Sequence, residues 1–146
     1  MLRLLLILPP LQPVLVSPGI GELRVGGLVY ILSLLLALAM LVSNIRLPGI
    51  VILTFGMLSN FLVITANLGQ MPGAPEQLNA AGYSGPPPGH WSNFTIMGPE
   101  TLLPFLGDTL LIGRPWPHPS VISIGDVIIA LGAFWFFQKT LVATRK

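Results

Sequence analysis

The chain has 146 residues, of which 53% are hydrophobic and only 8% charged, whereas about 25% of the residues in a soluble domain are charged. This composition excludes an ordinary water-soluble fold and predicts membrane spans joined by irregular connections. The seven basic and five acidic residues are scattered singly, which excludes a nucleic-acid-binding stripe. Because cysteine is absent, disulfides and thiolate metal sites are excluded as well.

The first apolar stretch, residues 4–16, is the weakest of four candidate spans. It has about two-thirds of the roughly 20 residues that cross a bilayer core, and Pro9, Pro10 and Pro13 interrupt it. Arg3 and the short apolar run imitate a secretory signal, but no convincing cleavage site follows. We expect a short, kinked or incomplete span here, with a signal segment as the alternative.

Three later stretches are long and apolar enough to span: residues 26–43, 49–66 and 121–138. The first two contain no charge, and the third carries Asp126 near its leading end. These spans predict an all-α membrane protein, a single domain with a small bundle of three or four transmembrane helices.

The basic residues predict the orientation, because Lys and Arg near span ends stay on the cytoplasmic side. Four crossings would place two basic residues outside, Arg24 and Arg114. The same crossings place five in the cytoplasm together with the C-terminus: Arg3, Arg46, Lys139, Arg145 and Lys146. We therefore expect a multi-pass membrane protein with both ends in the cytoplasm.

Residues 67–120 connect the second and third of the stronger spans and hold ten of the 15 prolines and eight of the 16 glycines. This content predicts neither a regular helix nor a central strand. The segment also contains Trp91, Phe94, Phe105 and Trp116, too much aromatic surface for a solvated linker. We expect a long irregular cap, rich in Pro and Gly, on the outer membrane face.

Two aspartates are the candidate chemical groups. Asp126 lies in a predicted span and is either a cap at the outer helix end, beside Ser123, or a proton-carrying carboxylate. Asp108 is expected at the same membrane face, where the two carboxylates could share a proton as in acid–base hydrolysis. Pairing of Asp108 with Arg114, or capping of a turn, is the more economical interpretation. We therefore assign no catalytic residue, and keep Asp108 and Asp126 as the alternative.

Polar residues within the spans are expected to pack helices together. On the second charge-free span they are Asn60 and Asn67, and on the first they are Ser33 and Asn44. His90 and His118 lack the close spacing of metal ligands, so we expect no metal and no cofactor. The expected partners are the lipid bilayer and either other membrane proteins or a second copy of the chain.

Four segments resemble a family of small bacterial integral membrane proteins of unknown function: LPGI at 47–50, GMLSNFLVITANLGQMP at 56–72, TLLPFLGD at 101–108 and SIGDVIIALG at 123–132. The resemblance runs from about Tyr30 to about Thr140. It implies a bacterial plasma-membrane location and no known activity. It also implies that Gln12 lies in a span preceded by a further helix, which leaves open whether residues 4–16 span the membrane or an upstream helix is missing.

A weaker resemblance is to lipoprotein signal peptidase, a four-span enzyme with two outer-face aspartates. Gly56, Asn60, Asp108 and Asp126 follow the same order, but residues 61–66 lack its Asp-Arg pair and the loop before Asp108 is much longer. We expect a non-enzymatic accessory or scaffold element of the membrane, with a membrane-embedded aspartyl hydrolase as the alternative.

Overall fold

The computed structural model describes residues 25–83, 93–113, 115 and 117–143, and every structural statement below concerns these residues. Helices are α1 (Val25–Ser43), α2 (Ile50–Ala66), α3 (Pro75–Ala80) and α4 (Ile124–Ala143). Strands are β1 (Met71–Gly73), β2 (Phe94–Ile96), β3 (Asp108–Ile112) and β4 (Ser120–Ser123), and a 3₁₀ helix covers Pro104–Leu106. Some residues used above lie outside the described ranges: the candidate span 4–16, with Arg3 and Gln12, and also Arg24, His90, Trp91, Arg114, Trp116, Arg145 and Lys146.

Two helices are long and apolar enough to cross a membrane by length and composition, Val25–Ser43 and Ile124–Leu141. Helix α2 is equally apolar but has 17 residues, or about 25 Å at the α-helical rise. Helix α4 begins at Ile124, so residues 121–123 of the predicted third span belong to β4 instead.

The fold is mostly helical, as expected, and has two candidate membrane helices. A purely all-α bundle with an irregular cap is not confirmed, because the connection between α2 and α4 contains a mixed four-stranded sheet in the order β2-β1-β3-β4. Strand β1 pairs in parallel with β2 and β3, and β3 pairs antiparallel with β4. The short helix α3 also lies in this connection, with Pro75 in its first turn, where proline removes no helical hydrogen bond.

Pro72 lies in the middle of a central strand, which the sequence analysis excluded. The hydrogen bonds from β1 to β2 use its neighbours: Met71 N donates to Asn93 O at 2.7 Å and Met97 N donates to Gly73 O at 2.9 Å. Residue 72 faces the opposite strand, β3, and the pairing with β3 begins only at Gly73 and Asp108. The observed register therefore needs no hydrogen bond from the backbone nitrogen of Pro72, and the sheet loses none.

Helices α2 and α4 run in opposite directions with their backbones in direct contact. Gly49 lies against Gly132 at one end of the pair, and Gly56 lies against Gly125 seven residues further along each helix. Seven residues are about two helical turns, so Gly125 and Gly132 lie on one face of α4, whereas Gly49 is the residue just before α2, with a φ of 84°. A Cβ added to Gly56 would lie 2.6 Å from Gly125 O, a contact that only a hydrogen side chain permits.

Helix α2 ends in a left-handed turn that receives α1. Leu68 and Gly69 have φ values of 56° and 85°, and Gly69 N donates to Ile64 O at 2.8 Å, which closes the helix end. Gly27 of α1 lies against Gly69. Beside this end is the small core, formed by Val63, Ile64 and Met71 with six partly buried neighbours: Tyr30, Ile31, Leu34, Phe94, Leu103 and Leu106.

Candidate functional site

A cluster of polar side chains lies where β4 passes into α4, at the end of the helices that carries the sheet. Helix α2 contributes Asn60, strand β3 contributes Asp108, and the β4–α4 junction contributes Ser123 and Asp126. Sheet register brings the two aspartates together, because Asp108 pairs with Ser123 and Ser123 N donates to Asp126 Oδ2 at 3.0 Å. We call these four residues the junction cluster.

Ser123 and Asp126 form a reciprocal cap at the start of α4. Asp126 N donates to Ser123 Oγ at 3.0 Å, and the Asp126 carboxylate accepts from Ser123 N in return. The spacing of three residues is that of a capping box, in which a serine and an acidic residue each satisfy a backbone N–H that the helix leaves unpaired. Ser123 is fully buried, so water cannot replace these bonds.

Asn60 connects this cap to α2 and closes a ring of hydrogen bonds. Asn60 Nδ2 donates to Asp126 Oδ1 at 2.7 Å, and Asn60 Oδ1 accepts from Ser123 Oγ at 3.0 Å. Both carboxylate oxygens of Asp126 and both polar atoms of the Asn60 amide that face the cap are therefore bonded. Such a satisfied network fixes the relative position of α2 and α4.

Asp108 is the member of the cluster whose chemistry is distinct. Burial, together with the smaller effect of the nearby negative charge of Asp126, raises the pKa of the Asp108 carboxyl from 3.8 to about 7. In the described part of the chain no hydrogen bond reaches this carboxylate, whereas its backbone carbonyl accepts from Ala74 N at 2.9 Å. Asp108 is therefore the group that changes protonation near neutral pH.

Tyr30 of α1 borders the cluster. The charges of both Asp126 and Asp108 act on its hydroxyl group, and its ring packs against the core around Val63. Since Tyr30 belongs to α1, all three long helices border the junction cluster, at the end of the molecule where the sheet begins.

Asn67 makes a second polar connection, between α2 and the sheet-bearing segment. Its Nδ2 donates to Leu102 O at 2.8 Å and to Val63 O at 2.7 Å, and its Oδ1 accepts from Leu102 N at 3.0 Å. The side chain thus pairs with the backbone of Leu102 as another strand would, and it is 1% exposed.

Other residues singled out from the sequence lie apart from the cluster. Ser33 Oγ donates to Tyr30 O at 2.7 Å and Asn44 Nδ2 donates to Met40 O at 2.8 Å, so both bond along their own chain segment on exposed surface. Their role in helix packing stays a prediction. His118 is exposed, and no group of metal-binding side chains occurs among the described residues.

Sequence reasoning missed the paired glycines and the ring that includes Asn60. The spacing of Gly49 to Gly56 and of Gly125 to Gly132 was a readable signal, since small residues let helices in membranes approach closely. Ser123 and Asp126 have the spacing of a capping box. Nothing local in the sequence indicates that Asn60 bonds to this particular cap, since 63 and 66 positions separate it from its two partners.

A comparison with protein families finds a match to a family of unknown function, DUF5317, over residues 21–138. This match confirms the resemblance that the four sequence segments indicated. Neither a curated protein nor a solved structure matches the chain.

Proposed function

This chain belongs to the DUF5317 family of unknown function, and we propose that it is a multi-pass protein of the bacterial plasma membrane with a non-enzymatic accessory or scaffold role. In this proposal α1, α2 and α4 lie in the bilayer and hold the sheet at the outer face. The closed ring of Asn60, Ser123 and Asp126 is the observation that carries it. Within this ring both carboxylate oxygens of Asp126 accept a hydrogen bond, and the side chains join two helices and cap one of them, which is a structural role.

The surface of the helices supports the membrane placement. Leu38 is the buried residue of α1, while Leu32, Leu35 and Leu36 are each more than half exposed. Exposed apolar surface of this extent is rare on soluble monomers and marks contact with lipid or a partner. At the far end of α4 the Lys139 ammonium lies 5.2 Å from the ring centre of Trp135, a pair of residue types typical of membrane–water interfaces.

The basic residues support the orientation, with the C-terminus in the cytoplasm and residues 67–120 outside. An epitope tag after Lys146 should be inaccessible to antibody on intact spheroplasts and accessible after permeabilisation. A tag inserted at residues 85–89 should be accessible on intact spheroplasts. Accessibility in the reverse order would contradict the proposed topology.

The alternative, an aspartyl hydrolase that uses Asp108 and Asp126, makes a different prediction from the scaffold. On the scaffold proposal neither position needs a transferable proton, since no hydrogen bond to the Asp108 carboxyl occurs among the described residues and Asp126→Asn keeps one of the two acceptor oxygens of Asp126. A hydrolytic dyad, by contrast, needs a transferable proton. Asp108→Asn and Asp126→Asn should each preserve membrane levels and restore the phenotype of a strain that lacks the protein. The measurement is complementation with protein levels quantified in parallel.

A matched control is Asn60→Asp, which keeps the shape of the side chain but places a carboxylate against Asp126. On the scaffold proposal this variant should lower membrane levels, because like charges replace a hydrogen bond, whereas the two Asn variants should not. Normal levels of both Asn variants with complete loss of the phenotype would overturn the scaffold proposal and favour the hydrolase.

A further inference from the structure

The segment at residues 101–106, with the sequence TLLPFL, lies beside the end of α2, and we call it the apolar loop. Its 3₁₀ helix packs on α2, and Leu103 and Leu106 pack against the core that contains Val63 and Ile64. Since Val63 and Ile64 belong to the last turn of α2, the loop lies alongside the helix end rather than beyond it.

The apolar loop has two apolar sides, and the core covers one of them. Leu103 and Leu106 are partly buried, whereas Leu102 is 56% exposed and Phe105 is 68% exposed. Leu103 has a φ of 50°, a left-handed conformation that is uncommon for a branched residue. The loop thus keeps a backbone geometry that leaves two large apolar side chains uncovered by the rest of the described chain.

Part of the backbone of this loop has hydrogen-bond partners within the protein, as non-helical backbone in a bilayer requires. Asn67 bonds both the N–H and the C=O of Leu102, and Leu106 N donates to Leu103 O at 3.0 Å. Irregular backbone at membrane depth is tolerated only where protein supplies such partners, because lipid supplies none.

We propose that the apolar loop inserts Leu102 and Phe105 among the acyl chains of the outer leaflet, so that the partner of this surface is the lipid bilayer. The proposal rests on the membrane placement proposed above. Continuity supports it, because the exposed apolar side chains of α2, which include Phe55 and Leu62, extend to the same helix end. The lipid-facing surface then continues from α2 onto the loop and holds the sheet against the membrane.

The absence of cysteine allows an environment-sensitive fluorophore to be attached at a single introduced thiol. Three variants of the full chain are compared in phosphatidylcholine vesicles: Phe105→Cys in the loop, Leu36→Cys within α1, and Leu111→Cys in β3. All three positions are exposed, so the label displaces no packed side chain. Leu111 pairs with Val121, two residues before the Ser123 that ends β4, and serves as the matched apolar position on the sheet.

Bromine on the lipid acyl chains should quench the Phe105 and Leu36 probes by about twofold, because bromine acts only at contact with the hydrocarbon region. It should leave the Leu111 probe nearly unchanged, whereas aqueous iodide should quench Leu111 alone. A label at Leu102→Cys should reproduce the result for Phe105.

The outcomes separate this proposal from the membrane placement. If bromine quenches Leu36 but not Phe105, the loop proposal is overturned and the membrane placement stands. If bromine quenches neither probe, the membrane placement itself fails. Shielding of Phe105 from both bromine and iodide would indicate a protein surface on the loop and would overturn the assignment to lipid, as would equal bromine quenching at Phe105 and Leu111.

Discussion

Helices α1 and α4 both pack against α2, but they do so in different ways. Along α4 the contact is backbone to backbone, through Gly56 against Gly125 and Gly49 against Gly132. Along α1 the close backbone contact is at one end, where Gly27 meets Leu68 and Gly69. Close approach over two turns brings polar side chains within hydrogen-bond distance across the helices, and this is the interface at which the junction cluster forms.

Asparagines show the same difference. Asn60, at the α2–α4 interface, is buried and bonds across it to Asp126, whereas Asn44, at the end of α1, is exposed and bonds to Met40 O four residues earlier. Residue type alone therefore does not decide whether an amide joins helices. The glycines on the facing helix decide this, because they let the two helices approach closely. Gly125 lies directly against the Asn60 side chain. Helices α2 and α4 are accordingly joined by backbone contact and by side-chain hydrogen bonds, whereas α1 meets the end of α2 through backbone contact at Gly27 and apolar packing.

The largest expected effect comes from enlarging a glycine at the α2–α4 interface. In Gly56→Leu, even the Cβ would lie 2.6 Å from Gly125 O and 2.7 Å from Ile129 N, so the helices must separate and the ring must break. We expect a loss of about 3 kcal/mol or more in the free energy of unfolding. Thermal unfolding in mild detergent, followed by circular dichroism, measures it.

Gly26→Leu on α1 is the matched control, because a Cβ at Gly26 meets no atom of the described residues within 4 Å. It should leave stability unchanged or raise it by up to about 1 kcal/mol, since leucine is the better helix former. If Gly56→Leu and Gly26→Leu destabilised the protein equally, the α2–α4 interface would be no more sensitive to side-chain size than the open position on α1.

A smaller effect is expected from Asn60→Leu, which removes the donor to Asp126 Oδ1 and the acceptor for Ser123 Oγ. Because a partner of a largely buried carboxylate is lost, we expect about 1.5–3 kcal/mol of destabilisation. Asn44→Leu, the matched change on exposed surface, should cost less than about 0.5 kcal/mol. Unfolding in detergent again gives the values, and a tolerated Asn60→Leu would argue against a structural ring.

The positions of the long helices could be predicted from sequence because apolar runs of sufficient length leave few alternatives. The predicted stretches 26–43 and 49–66 differ from α1 and α2 by one residue at the start. The start of α4 was misplaced because Val121, Ile122 and Ser123 are as compatible with a strand as with a helix. Pairing with β3 makes these residues a strand, and a hydropathy pattern contains no information about strand pairing.

The sheet could not be predicted because its strands are short and their pairing is not local. Strand β1 has three residues, one of which is Pro72, and its partner β2 begins 21 positions after β1 ends. Local pattern therefore favours irregular structure. In the candidate site, both aspartates were identified from the position expected for them at one membrane face, but the sequence did not show that Ser123 lies between them in the register or that Asn60 completes the ring.

The smallest expected effect is a change in the free energy of unfolding with pH, and it reports on Asp108 of the junction cluster. Because the pKa of Asp108 is about 7 in the folded protein and 3.8 as an ordinary carboxyl, the folded state binds this proton more tightly than the unfolded state. Protonation of Asp108 therefore stabilises the fold. The free energy of unfolding should be lowest above pH 7 and should rise as the pH falls from about 7 towards about 4.

Partial exposure of Asp108 screens this contribution, so we expect about 1–2 kcal/mol over that range. The measurement compares unfolding of the wild type and of Asp108→Asn in detergent at several pH values between 4 and 8. The variant has no proton to bind at this position, so the difference in stability between the two proteins should change with pH in the stated direction. A difference that is constant from pH 4 to pH 8 would mean that Asp108 is solvated and that the sheet does not hold it against Asp126. The junction would then consist of the ring of Asn60, Ser123 and Asp126, and Asp108 would not belong to it.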